Sequence, residues 1–196
     1  MEITNLNQLD FSKPYTVKEY LSWTFDEKVE LFKGYLAKMS PAPNSNHQII
    51  SQNLNRYFLN YFYKQPCKVF AAPFDVYLPM VTGNGDTIVQ PDICVVCDTA
   101  KIEKQGCVGS PDLIVEILSP GNSSKEIKNK YDIYQEAKVK EYWIIYPSEC
   151  VVQIYKLVNE EYFAEKPLTK GDMATSHLFN GLQIDLNEVF ENLLDI

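Results

Sequence analysis

The run Leu113-Ile114-Val115-Glu116-Ile117-Leu118 is apolar on both faces of a strand except for one carboxylate near its centre. A strand of continuous apolar side chains is normally covered on both sides, so the chain has to build layers above and below it. An unpaired, ionised glutamate in such a place costs several kcal/mol. Compensation comes from a buried basic partner, a metal ion, or an opening of the sheet into a cleft.

A second run, Ile88-Val89-Gln90-Pro91-Asp92-Ile93-Cys94-Val95-Val96, places a glutamine, a proline and an aspartate inside an apolar strand. Pro91 cannot donate to a ladder, so it implies an edge, a bulge or a local parting of strands where a ligand can enter beside Asp92. The cation that answers these acids is sought in the helix KEIKNKYDIYQEAK, whose apolar face is set by Ile127, Tyr131 and Tyr134. Lys130 shares that face, whereas Lys125 and Lys128 point elsewhere. Lys130 with Glu116 alone reads most simply as a structural ion pair, the commoner origin of such contacts. With Asp92 added, two carboxylates and one lysine call for a further positive guest, usually a divalent metal. Asp112 stands four residues from Glu116, roughly 13 Å along a strand, too far to share an ion with it. It is read as a strand-start or turn residue.

The rest of the chain supplies layers for these strands. VELFK and YLAKM form a hairpin around Gly34 that ends at Pro41-Ala42-Pro43. The helix HQIISQNLNRYFLNYFYK follows, with Ile50, Leu54, Tyr57, Phe58 and Tyr61 at helical spacing and Ser45 and Gln48 at capping-box spacing. VFAAPFDVYLP and TIVQPDICVVCD read as an antiparallel hairpin turning at Gly83-Asn84-Gly85-Asp86, followed by a polar loop with Gly106 and Gly109. The strand DLIVEILS, the helix capped by Ser123 or Ser124, and EYWIIYP suggest a βαβ crossover. A second hairpin, VVQIYKLV then YFAEKPL, precedes a tail from Ala174 with a short strand and a helical turn. The predicted class is α/β (α+β), a mixed β-sheet flanked by helices with extra β-hairpins. At 196 residues and 45% hydrophobic, the chain fits one globular domain.

A formal charge of −8 excludes a protein that coats nucleic acid or anionic membrane by bulk electrostatics. Arg56 is the one arginine among 18 basic residues, so gripping phosphates through many guanidinium forks is excluded too. The charge is uneven. Residues 120–140 sum to +2, whereas residues 159–196 sum to −6. No membrane-spanning run and no signal-peptide order are found, so a soluble, cytoplasmic protein with no membrane partner is expected. The odd, scattered set Cys67, Cys94, Cys97, Cys107 and Cys150 does not resemble a secreted disulfide framework. Cys94 and Cys97 form a CxxC inside an apolar strand whose alternation separates their faces. They are read as buried strand cysteines rather than half a zinc site.

Three blocks, VELFKGYLAKMSPAPNSNHQIISQNL, VQPDICVV and PDLIVEILSPGNSSKEIKNKYDIYQEAKVKEYWIIYP, together resemble the Uma-type endonuclease family. That family is a branch of the PD-(D/E)XK restriction-endonuclease-like superfamily. The last block is long and specific, and the resemblance spans about residues 29–157, leaving 158–196 as a C-terminal extension of a single domain 1–196. Carried over, the family's metal-binding aspartate falls on Asp92 and the next acidic residue on Glu116. The superfamily lysine two residues on is replaced by Leu118, and the resemblance moves that role to Lys130 in the following helix. Glu30 and His47 match accessory positions, and Gln90 of the QPD triplet is counted with them. A solvated hairpin carboxylate and a solvent-satisfied helix-start histidine are equally good readings of Glu30 and His47. Ser123, Ser124, Lys125 and Glu126 stand where the family commonly has arginines and an aspartate, which weakens any phosphate grip by that turn.

The resemblance implies metal-assisted hydrolysis of a phosphodiester, with Asp92 and Glu116 holding Mg²⁺ (Mn²⁺ able to substitute) and Lys130 orienting or deprotonating water. DNA is the implied substrate and a homodimer an available assembly. Two rivals remain: a catalytically silent binding or assembly module in which Asp92, Glu116 and Lys130 form a structural network, and hydrolysis of RNA or a nucleotide.

Overall fold

The structure is a computed structural model that describes residues 3–25, 27, 29–38, 44–80, 86–120 and 122–194. Strands β1 (Val29–Phe32) and β2 (Tyr35–Lys38) make the expected hairpin, preceded by the short helix α1 (Val17–Tyr20). Helix α2 runs from Ser45 to Phe62 and buries His47, Ile50, Leu54, Phe58 and Phe62 along one stripe. Its N-cap is Asn44, whose side chain accepts the His47 N–H, and not the Ser45 with Gln48 that sequence spacing suggested. With Asn44 as the N-cap, Ser45 becomes the first residue inside the helix. The Pro41-Ala42-Pro43 breaker and the turn at 83–85 lie outside the described residues.

Four strands come from the stretch read as one hairpin: β3 (Lys68–Ala71), β4 (Val76–Leu78), β5 (Thr87–Val89) and β6 (Ile93–Val96). β4 pairs with β5, and β3 pairs with β6, but the two pairs belong to different sheets. The ribbon therefore forks at Phe74-Asp75 on one arm and Gln90-Pro91-Asp92 on the other. Pro91 marks the parting, as its missing donor requires. The region expected as a polar loop instead pairs as β7 (Ile102–Glu103) and β8 (Gly106–Val108), with β8 parallel to β4. At Gly106 (φ +148°) a Cβ would lie 2.1 Å from the Asp75 carbonyl oxygen, so only glycine lets these backbones approach.

β9 (Leu113–Ile117), α3 (Ser124–Glu136) and β10 (Glu141–Tyr146) form the predicted crossover, β9 and β10 running parallel and α3 capped by Ser123. β11 (Val151–Val158) and β12 (Glu161–Ala164) form the second hairpin, and β13 (Leu168–Thr169) adds to β11. β14 (Met173–Thr175), β15 (Gln183–Asp185) and α4 (Leu186–Val189) complete the chain. One sheet has the order β2-β1-β5-β4-β8-β7; the other runs β12-β11-β10-β9-β6-β3 with β13 beside β11.

The second sheet is covered on both faces, as the apolar strand β9 demands. Leu113, Val115, Ile117, Trp143 and Ile145 pack under α2, together with Ala174, Leu182, Ile184, Leu186 and Phe190 of the last segment. Ile114, Tyr142 and Ile144 face α3 through Ile133 and Tyr134. Residues 158–196 thus supply a wall of the main core. Among the described residues no helix is long and apolar enough to cross a membrane.

Cys94 is buried in β6, and desolvation pushes its thiol up, as expected of an inert strand cysteine. Cys97 corrects the reading of the pair: it lies just past β6 and is joined to Cys67 by a disulfide. The β3–β6 register pairs Lys68 with Val96, and one further step sets Cys67 opposite Cys97.

Candidate active site

Glu116 faces α3 on the same side of β9 as Ile114. The β6–β9 register pairs Ile93 with Val115, so Asp92, the residue just before β6, is brought beside the end of β9 that carries Glu116. The Ile117 N–H donates to Asp92 Oδ2 at 2.7 Å, and His47 Nε2, from the first turn of α2, lies 3.2 Å from Asp92 Oδ1. Glu30 comes from the other sheet, where its Oε1 accepts the Gln90 N–H at 2.9 Å.

Lys130 joins the two sheets. Its Nζ donates to Glu116 Oε1 and Oε2 at 3.0 and 3.1 Å and stands 3.2 Å from Glu30 Oε1. Tyr134, one turn further along α3, donates its hydroxyl to Glu116 Oε1 at 2.5 Å. Asp92, Glu116, Lys130, Glu30 and His47 therefore line one cleft at the fork. Gln90 also borders it, but its side chain turns away to donate to Asp75 Oδ1 at 2.5 Å, and only its backbone serves the site. Asp112 lies elsewhere, accepting from the Cys97 N–H at 2.8 Å and from Lys140 at 2.7 Å. Ser119, Asn122 and Glu126 also line the cleft, with the Asn122 amide donating to Glu126 Oε1 at 2.8 Å.

The charges are unbalanced. Burial pushes the Glu116 carboxyl up to about 7; the Lys130 ammonium opposes this, and the Asp92 and Glu30 charges add to it. Burial alone would lower the Lys130 ammonium, but Glu116 and Glu30 outweigh it and hold Lys130 above its ordinary range. Both partners move upward because two buried carboxylates share one ammonium: the cation has more counter-charge than it needs and each acid has less. Burial would likewise lower His47, yet the hydrogen bond and charge of Asp92 prevail and raise it. Burial and the Glu116 charge raise the Tyr134 hydroxyl far enough that it remains a proton donor.

Sequence periodicity placed Lys130 correctly and missed Tyr134, which it counted as part of the apolar face. The signal was present: Tyr134 follows Lys130 by four residues and so projects beside it on the helix.

The donor set suits a hard divalent cation. Among the described residues no three His, Cys, Asp or Glu side chains converge as a complete metal cage. Mg²⁺ does not need one, because it takes one or two protein carboxylates and keeps several waters. Asp92 and Glu116 line one cleft with surplus negative charge and feel each other's charge, and they are the pair that could hold it.

Comparison with known proteins agrees with this fold. The sequence model of the Uma2 family, described as "Putative restriction endonuclease", matches residues 17–187, beyond the 29–157 stretch that carries the sequence resemblance at both ends. The protein slr1290 of Synechocystis sp. (strain ATCC 27184 / PCC 6803 / Kazusa), described as uncharacterized, is 26% identical over 141 residues, covering 70% of this chain and 72% of its own. A crystal structure from Anabaena variabilis ATCC 29413, described as a "putative nuclease belonging to DUF820", superposes with a TM-score of 0.71 at 21% identity. The match covers 90% of this chain and 98% of that one. The architecture is thus a restriction-endonuclease-like mixed α+β fold.

Proposed function

Because the chain belongs to the Uma2 family, we propose that the cleft at the fork hydrolyses DNA phosphodiester bonds with Mg²⁺, for which Mn²⁺ can substitute. One observation carries the reading: two acids from apolar strands and an inward lysine, remote in sequence, meet in a single cleft with more carboxylate than cation. Asp92 and Glu116 would hold the ion. A bound Mg²⁺ supplies Lewis acidity at a phosphate oxygen and a more acidic water.

The protein's own groups do the rest. The Lys130 ammonium donates to both Glu116 oxygens and pairs with Glu30 Oε1 at 3.2 Å, and those carboxylates favour its charged form, so it acts as an electrostatic and hydrogen-bonding group. To engage water or a phosphate it must release one of those oxygens. His47 steadies Asp92, whose other oxygen is fixed by the Ile117 N–H. Glu30, held by the Gln90 N–H, anchors Lys130 from the opposite sheet.

The test is cleavage of plasmid DNA by the purified protein with Mg²⁺ or Mn²⁺, alongside Glu116→Ala. Metal-dependent nicking that the variant loses supports the reading; a wild-type protein that neither cleaves DNA nor binds Mn²⁺ refutes it. The closed Lys130–Glu116–Glu30 contact favours a second reading, a silent module with a structural network. Under that reading Lys130→Met changes stability alone, with no metal-dependent activity to lose.

A further inference from the structure

We propose that Tyr134 is a positioning residue for cation binding at the cleft, an inference that rests on the metal-dependent reading above. Tyr134 is fully buried, and its hydroxyl donates to Glu116 Oε1. Its ring packs edge-to-face on Tyr142, with centroids 5.0 Å apart at 70°, and Tyr142 itself borders the cleft. The hydroxyl therefore sits on a rigid support.

The two oxygens of Glu116 are treated unequally. Oε1 accepts from Lys130 and from Tyr134, whereas Oε2 accepts from Lys130 alone. A carboxylate oxygen has capacity for about two donors, so Oε1 is filled and Oε2 keeps an unused lone pair. Tyr134 thereby fixes the rotation of the carboxylate, with Oε1 turned to α3 and Oε2 left as the acceptor for a guest cation.

The same bond frees Lys130. Three carboxylate oxygens stand within 3.2 Å of its Nζ, two of Glu116 by hydrogen bonds and one of Glu30 as an ion pair. When Lys130 gives one of these up to a substrate or water, Tyr134 is the group that still holds Glu116 in place. A hydroxyl that orients a metal-ligating carboxylate through a hydrogen bond belongs to the outer shell, whose loss typically weakens metal affinity by about 10- to 100-fold.

The experiment is calorimetric titration of the full chain with Mn²⁺ and no DNA, on wild type and Tyr134→Phe, with melting curves on both and cleavage kinetics at saturating Mn²⁺. The expected result is an Mn²⁺ Kd raised about tenfold or more, together with a lower kcat at unchanged KM for DNA. A merely structural tyrosine lowers the melting temperature and leaves the Mn²⁺ Kd as it is, which overturns the inference while the metal reading stands. A wild type that binds no Mn²⁺ overturns both. Should Tyr134→Phe fail to fold, 3-fluorotyrosine placed at this position alone keeps the shape and alters the donor. A changed Mn²⁺ affinity then supports the inference and an unchanged one overturns it.

Discussion

Glu116 and Glu141 are both buried on adjacent parallel strands, yet on opposite faces of the sheet the fold holds them by different means. Glu141 Oε1 accepts the Trp143 indole N–H at 2.6 Å, and its Oε2 accepts the Ser176 hydroxyl and the His177 and Leu178 N–H groups at 3.0 Å each. Those donors are neutral, two side chains and two backbone amides, and three of the four belong to the last segment of the chain. Glu116 is held by an ammonium that it shares with a second acid and faces a cleft. A carboxylate ringed by fixed neutral dipoles anchors structure, whereas one that competes for a mobile cation is poised to take another.

The largest expected effect tests the anchor. Glu141→Leu strands four donors at about 1–3 kcal/mol each. A loss of roughly 4 kcal/mol, or a melting temperature lower by about 10 °C, is expected by calorimetry. Metal-dependent cleavage per folded molecule should persist. If instead activity falls with stability unchanged, the contrast between the two acids is wrong.

Lys130→Met comes next. Removing one partner of a buried pair typically costs about 3–5 kcal/mol, and here both Glu116 and Glu30 lose their cation. Cleavage should drop by about 100-fold or more. The loss of stability should be large at pH 8 and shrink toward pH 5, where Glu116, pushed up by burial, is protonated and needs no cation. A pH-independent loss would show that packing, and not charge, is what Lys130 supplies.

Glu116→Gln separates the two roles of that residue. The amide keeps the shape and removes the surplus charge, so cleavage is expected to vanish while stability at pH 8 changes by less than about 1 kcal/mol or rises. The wild-type pH dependence has the same origin. With its folded value pushed up to about 7, above the ordinary 4.5, Glu116 favours the fold fully below pH 4.5 and progressively less as pH rises through 7. His47, also raised, adds stability below its ordinary 6.5 that disappears as pH rises past its folded value. Stability should therefore decline from pH 5 to pH 8. Stabilisation by Mg²⁺, read as a melting-temperature increase, should be greater at pH 8 than at pH 5, since the ion competes with the Glu116 proton. The smallest effect is expected on the far side of α2, where both members of the Arg56–Glu188 pair are about half exposed. Arg56→Ala should cost less than about 0.5 kcal/mol and leave cleavage intact.

Periodicity carried the local elements a long way. The burial of Glu116, the inward turn of Lys130, the crossover and an irregularity at Pro91 all follow from apolar spacing and from what proline cannot donate. The failures share one cause. The stretch 69–98 reads as one hairpin because each arm has strand periodicity on either side of the fork, and only the pairing of its halves in different sheets decides that Pro91 marks a parting and not an edge or a bulge. Cys67 and Cys97 are thirty residues apart and meet because of a strand register that neither local segment records. Gln90 was counted with the site for its place beside Asp92, while its side chain answers Asp75, a residue of the other arm. The acidic last segment looked like an appendage because its charge was legible and its partner, the N–H acceptor Glu141, was not.

By itself, then, the sequence determined which side chains are buried against their chemistry and on which face of a strand or helix each lies, since those follow from periods of two and 3.6 residues. Tertiary structure decided which of them meet. Glu30 lies on a strand of the first sheet and Lys130 on α3 over the second, and their ion pair exists because the sheets part at Pro91 and α3 crosses over the opening. Contact across layers depends on register and crossover geometry, and no local pattern in the chain encodes either.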